Sequence, residues 1–277
     1  MNIPYHIGKR RTFSLQYVTP DENRHKQVKK DFQTDSKVKE LDFEAPSGNR
    51  LYLLYTSNIA STQSGRSNIV IETESAPEKN PILSHSFLSC YNGVKSSTNL
   101  DMRKQFDTNK IPELFERIQW KQTIPAVAGQ LLSIPIIAHA LPNGNHRSSI
   151  SFVCLYLDYY SDKSNIAKDL VSNATLQKRV DEYQIESKCL LTVRRNKTKF
   201  KILEQNGVTS VERKGGIKIL LNEYDLSDQM TGDDYSNLHK LKSQEFVESI
   251  LKTLNQNHLL NTKDKGKSSY INHLTTV

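Results

Sequence analysis

His139-Ala140-Leu141-Pro142-Asn143-Gly144-Asn145-His146-Arg147 is the stretch on which the fold turns. Residues 124–138 before it carry no charge and are rich in Ala, Leu and Ile, which predicts a helix buried on most of its surface. Pro135 lies inside that helix and is expected to kink it. Residues 148–159 run apolar again through Ile150, Phe152, Val153, Leu155 and Leu157. Two buried helices joined by a short polar loop follow, with Asn145 as the expected N-cap of the second. A loop of small and amide residues that opens onto a helix turns the free N–H groups of Gly144, Asn145, His146, Arg147 and Ser148 outward at the positive end of the helix dipole, a cradle for phosphate oxygens. Arg147 adds a planar cationic fork, and Asn143 offers an oxygen to a phosphate-bound Mg²⁺. His139, across the loop, carries an imidazole that titrates near neutrality and can take the proton of an incoming hydroxyl. These are the groups that transfer of a phosphorus centre to a hydroxyl requires.

The order His-x-x-x-Asn-Gly-Asn-x-Arg between two apolar helices resembles the signature loop of the Fic/Doc superfamily. The resemblance covers roughly residues 124–159. It implies His139 as general base, Asn143 at the metal-contacting position, Gly144 and Asn145 in the anion hole, and Arg147 on the nucleotide phosphates. It implies a protein adenylyltransferase that uses ATP and Mg²⁺ to place AMP on a Ser, Thr or Tyr hydroxyl of a target protein. The Doc branch transfers phosphate instead, and by analogy with it a toxin and a neutralising antitoxin or regulator enter as partners. Four positions depart from the pattern. Asn143 replaces an acid, Leu141 an aromatic, His146 a Gly or Lys, and Ile150 an Arg. The loss of the acid also motivates a different class of protein, a binding module without turnover.

The rest of the 277 residues bounds this expectation. Lys and Arg number 38 against 30 Asp and Glu, a formal net charge of +8 that suits anionic partners without choosing among them. With 25% charged and 36% hydrophobic residues the chain reads as globular, and no apolar run approaches the roughly 20 residues of a membrane span. Basic residues 1–11 lack an apolar stretch behind them, so no signal peptide is expected, and three scattered cysteines without a CxxC argue for a cytoplasmic setting. The fold expected is a mainly α core of Fic/Doc type, residues 51–165, after a polar adaptor region, 1–50, and before an α+β C-terminal module, 166–260, and a frayed polar tail, 261–277. Residues 19–40 read as a solvated helix or a connection, and 46–48 as a turn. Strands are expected at 68–74, 189–193, 199–203, 208–213 and 217–221, helices at 169–186 and 243–254. A target-docking hairpin is sought at Asn92-Gly93 or at Ile69 and Ile71. Basic runs at 9–11, 194–195 and 197–201 lack interleaved aromatics, so nucleic acid is not the expected partner. His139 and His146 are not read as a zinc pair. Gly266-Lys267-Ser268 is not read as a P-loop, because Asn261 occupies its first glycine position.

Overall fold

In a computed structural model, the described residues are 1–9, 12–33, 37–57, 80–98, 100, 110–161 and 165–276. Among the described residues the chain is mainly helical with two small sheets, and it divides into two compact units. One comprises Met1–Val70 with Lys188–Gly232, the other Ile71–Ser187 with Asp233–Val277, so the division does not fall near residue 165.

The first unit corrects the reading of residues 1–50 as an adaptor. Strands β1 (Asn2–Pro4), β2 (His6–Ile7), β3 (Phe13–Thr19), β4 (Lys37–Glu44) and β5 (Arg50–Ser57) occupy most of it, with helix α1 (Glu22–Gln33) between β3 and β4. Four of them form an antiparallel sheet in the order β2-β3-β5-β4. Central β5 buries Leu51, Leu53, Leu54 and Tyr55 on both faces, while outer β4 keeps its charges in solvent. The polar outer strand hides the sheet from a pattern search, because alternation fails where neither face of a strand is buried. The turn read at Pro46-Ser47-Gly48 joins β4 to β5, with Gly48 at φ 84°.

The second sheet has the order β1-β6-β7, where β6 is Ser210–Glu212 and β7 Lys218–Leu220. Both strands fall where the sequence placed them, but β6 pairs in parallel with β1 at the start of the chain, through Asn2↔Ser210 and Ile3↔Val211. They therefore share a unit with the N-terminal residues rather than forming a C-terminal module. The strands expected at 189–193 and 199–203 are helical instead. Helical residues Ala174–Gln205, kinked at Asn196 (φ −128°, ψ 15°), cover both, and buried Phe200 and Leu203 beyond the kink, like Leu190 and Val193 before it, recur at the helical spacing of three. Their β-branched and aromatic content had imitated a strand.

In the second unit α2 (Pro81–Thr98), α3 (Ile111–Glu116), α4 (Ile124–Ala138) and α5 (Asn145–Asp158) precede α6 (Ile166–Ser172), and the long helix just described is α7; α8 (Gly232–Thr253) and α9 (Lys267–Thr276) follow. Phe87 of α2, Phe115 of α3 and Phe152 of α5 meet edge-on or tilted at centroid distances of 6.1, 5.6 and 5.5 Å and fix the centre of the core. Asn92-Gly93 lies inside α2, so no hairpin forms there, and the strand expected at 68–74 lies outside the described residues. Helix α4 has the bounds read from sequence and stays continuous through Pro135, whose missing N–H falls in its last turn.

Gly129 on α4 is a packing residue that sequence reasoning passed over. A Cβ there would stand 2.8 Å from the backbone N and 2.9 Å from the Cα of Gln244 on α8. Backbone against backbone cannot yield as a side chain can. Gly129→Ala is expected to destabilise the protein by about 1–3 kcal/mol despite the better helix propensity of alanine. Urea denaturation monitored by circular dichroism checks this, and an unchanged or raised midpoint would refute the close approach of α4 and α8.

The tail expected to fray is ordered. Ile124 N–H donates to the Thr262 carbonyl at 2.9 Å, and buried Asp264 gathers four donors. Tyr156 and Tyr160 hydroxyls donate to its Oδ1 at 2.8 and 2.7 Å, and the N–H groups of Lys121 and Gly266 to its Oδ2 at 2.9 and 2.8 Å. Burial, with the carboxylate beside them, pushes both phenols far above their usual range. Gly266 thus serves a turn around Asp264, and α9 beyond it buries Tyr270 completely.

Candidate functional site

The loop 139–147 links α4 to α5 as the sequence predicted. His139 caps α4 in the left-handed region, φ 51° and ψ 47°, and its N–H donates to the Ile136 carbonyl at 3.1 Å while Ala140 N–H reaches Pro135 at 3.2 Å. Glycine is the usual residue for this C-terminal geometry, and a β-carbon there stores about 1 kcal/mol of strain. The side chain of His139 is exposed, so the imidazole is not sealed in the core.

Asn145 does not cap α5. Gly144, at φ 72°, is the N-cap, no side chain caps the helix, and Asn145 is its first residue. The buried Asn145 amide instead reaches back across the loop: its Oδ1 accepts from Leu141 N–H at 2.8 Å and its Nδ2 donates to the Leu141 carbonyl at 2.9 Å. This reciprocal pair sets the loop's width, so the side chain acts as a brace and does not line an anion hole. Leu141 fills the position of the expected aromatic and is fully buried, a packing substitution. Ile150 is buried as well, leaving Arg147 as the only guanidinium that the sequence brings to the loop. Arg147 is exposed, and among the described residues it makes no hydrogen bond or ion pair.

Beneath the turn lies a buried group in search of a partner. Ser148 is fully buried and its Oγ bonds to nothing among the described residues; a Cβ on Gly144 would stand 3.8 Å from that oxygen. The same Cβ would press on Leu100 Cδ1 at 2.7 Å, so glycine here serves both the backbone angle and the space. An orphan hydroxyl below the uncapped N-terminus of a 14-residue helix suits an oxygen-rich anion.

The donor set does not suit a protein-held Mg²⁺. Asn143 Oδ1 already accepts from Gly144 N–H at 2.8 Å, and residues 139–147 contain no carboxylate. Among the described residues no group of three His, Cys, Asp or Glu could hold a metal. A neutral amide oxygen already engaged by a backbone donor is a poor ligand for a hard dication.

His146 is drawn into a buried polar series. Its side chain is half-buried, and its Nε2 lies 2.8 Å from Ser187 Oγ on α7. Ser187 lies 2.6 Å from His239 Nε2 on α8, and His239 Nδ1 lies 2.7 Å from Ser133 Oγ on α4. Sequence reasoning missed Ser133, Ser187 and His239, since serine and histidine in amphipathic helices carry no local signal of pairing.

Other candidates are accounted for. Lys197 donates to the Ser227 and Met230 carbonyls, Lys201 pairs with Asp228, and Lys199 reaches the Leu15 carbonyl at 3.2 Å, so the basic run of α7 ties down its own unit. In the groove between α1 and β4, His25 pairs with Glu40, Lys26 with Glu22 and Arg50 with Asp42, a self-neutralised surface. Cys90, Cys154 and Cys189 are buried and form no disulfide, and burial pushes the Cys90 thiol up to about 11, which removes it from nucleophilic use at neutral pH. Among the described residues no helix is long and apolar enough to cross a membrane.

A profile of the family of unknown function DUF8172 matches residues 1–277, and the chain belongs to that family. No curated protein and no solved structure matches it.

Proposed function

We propose that the α4–α5 loop binds the phosphates of ATP and transfers AMP to a hydroxyl of a target protein. The observation that carries this reading is the orphan Ser148 hydroxyl beneath Gly144 at the uncapped start of α5. The helix terminus and Ser148 bind phosphate oxygens, and exposed Arg147 neutralises their charge. His139, strained and exposed at the end of α4, accepts the proton of the target hydroxyl as its oxygen bonds to the α-phosphorus. The bond from that phosphorus to pyrophosphate breaks, and the electron pair leaves with pyrophosphate. The order of loop residues supports the Fic/Doc resemblance, and the bracing of the loop by Asn145 supports a turn of fixed width.

A second reading is favoured by the Asn143–Gly144 hydrogen bond, which leaves the acid position neutral and engaged. On that reading the loop binds nucleotide and turns nothing over. Incubating the purified protein with α- or γ-labelled ATP and a cell lysate separates the readings. Protein labelling from the α-position alone is the expected result, and labelling from the γ-position alone would move the assignment to phosphoryl transfer. Binding without labelling would favour the module. Arg147→Ala is expected to weaken ATP binding about 10-fold or more, the effect of removing one charge-assisted phosphate contact. A thermal shift titration reads this, and equal shifts in wild type and variant would overturn the phosphate assignment.

A further inference from the structure

The oxygen on which the proposed function rests is closed off in this structure. Ser148 Oγ is shielded from solvent and bonds to nothing among the described residues. A phosphate can bond to it only when whatever covers it gives way, so the cover belongs to the site. Gly144 shows where that cover lies. The point that a β-carbon on Gly144 would occupy is 3.8 Å from Ser148 Oγ, 2.7 Å from Leu100 Cδ1 and 3.7 Å from Val94 Cγ1. Three side chains meet at one spot, and two of them are apolar. Val94 lies on α2, and Leu100 stands two residues past the end of that helix at Thr98. The contact is mismatched in polarity. A methyl group neither donates nor accepts, and it occupies space in which water or an anion could satisfy the hydroxyl. The buried amide of Asn145, one turn of loop away, has both of its partners on Leu141, so the mismatch is confined to Ser148.

We infer that Leu100, backed by Val94, is an apolar plug that closes the space between Gly144 and Ser148 until an anion displaces it. Leu100 is half-buried, so a change to another staggered rotamer carries its methyl away without moving α2. Opening exchanges one apolar contact for the bonds that an anion makes with Ser148 and the first turn of α5. The ligand thus drives its own entry, because it binds the open form and not the closed one. Its apparent affinity is lowered by the fraction of molecules that are open, and truncating the plug restores it. That the anion is a nucleotide phosphate rests on the function proposed above, whereas the covering of Ser148 by Leu100 does not.

The test uses the full chain carrying Ser148→Cys, alkylated with iodoacetamide and followed peptide by peptide in a mass spectrometer. Cys90, Cys154 and Cys189 are buried and report any general loosening of the fold. The thiol introduced at 148 is expected to react slowly while Leu100 is present. Adding Leu100→Ala is expected to speed that reaction by about 10-fold or more, the factor that about 1.4 kcal/mol of lost apolar contact produces. The three native thiols should keep their rates. Leu100→Met, which keeps the apolar reach, is expected to stay slow. An unchanged rate at 148, a thiol already fast beside Leu100, or an equal rise at all four cysteines would overturn the plug. If Leu100→Ala does not fold, Val94→Ala is expected to raise the rate at 148 about 3-fold or more, since a smaller contact is lost, and no rise would likewise overturn it. A thermal shift titration with ATP, in the chain that keeps Ser148, separates the plug from its ligand. Leu100→Ala is expected to bind ATP about 10-fold more tightly than wild type. Faster alkylation at 148 without tighter ATP binding would keep the plug and refute the phosphate reading.

Discussion

Replacing Asp264 with alanine is expected to destabilise the protein by about 3–5 kcal/mol, among the largest losses a single side chain can cause. The carboxylate accepts from two tyrosine hydroxyls and two backbone N–H groups, and Tyr156 is itself fully buried. Alanine would leave those donors without an acceptor, at about 1–3 kcal/mol for each one that water cannot reach. The damage should begin locally, because Asp264 anchors the strand-like segment beside Thr123 and the turn that launches α9. Hydrogen exchange should therefore rise first in α9 and at Lys121. Asp264→Asn is the informative companion. An amide keeps one oxygen for the two backbone N–H groups, which cannot reverse their polarity, and turns its NH₂ toward the tyrosines, whose hydroxyls can rotate to accept. Its cost should be less than half that of alanine. Equal losses for the two variants, or an alanine variant within about 1 kcal/mol of wild type, would show that the four hydrogen bonds do not anchor the segment.

His139 supplies the second large effect. His139→Ala and His139→Gly are both expected to reduce label transfer from ATP by about 100-fold or more, the usual contribution of a positioned general base. Their stabilities should part company. With φ at 51°, alanine keeps the strain of a β-carbon in the left-handed region and glycine does not, so the glycine variant should be more stable than the alanine variant by about 1 kcal/mol. Comparing two variants that both lack the imidazole removes its own contacts from the difference. Undiminished transfer in both would refute the base assignment. Equal melting temperatures would refute the strain at the end of α4. On the proposed reading, a histidine where glycine is the relaxed choice trades stability for function.

The helix pair around the loop was legible because its signal is long and local. Fifteen uncharged residues predict α4 to the residue, and the polar break predicts the turn. Gly144 was legible as turn chemistry and is left-handed. The misreadings share one cause, dependence on distant partners. Asn145 fits an N-cap by type, yet whether its amide faces forward to the helix or back to Leu141 is settled only by loop closure. The strands of residues 1–50 show little alternation because outer β4 exposes both faces, and β1 pairs with residues 210–212, far outside any local window. Residues 189–203 read as strands because Val, Phe and Ile favour them, and tertiary burial overrode that preference. The ordered tail depended on Asp264, a single acidic residue whose four donors come from 121, 156, 160 and 266. The contact of His146 with Ser187 was invisible for the same reason, since Ser187 sits on α7, 41 positions away.

The parallel pairing of β1 with β6 sets a timetable for biosynthesis. Asn2 and Ser210 are 208 positions apart, yet their side chains bond at 3.0 Å. A ribosome has to extrude every residue from Asn2 to Ser210 before β1 meets its mate, and closing so long a span is slow. Nascent β1 must wait, shielded or solvated, while the helices encoded between the two halves of its unit can already fold. Chains cut short before residue 210 should therefore retain helical content but leave their first residues open to proteases.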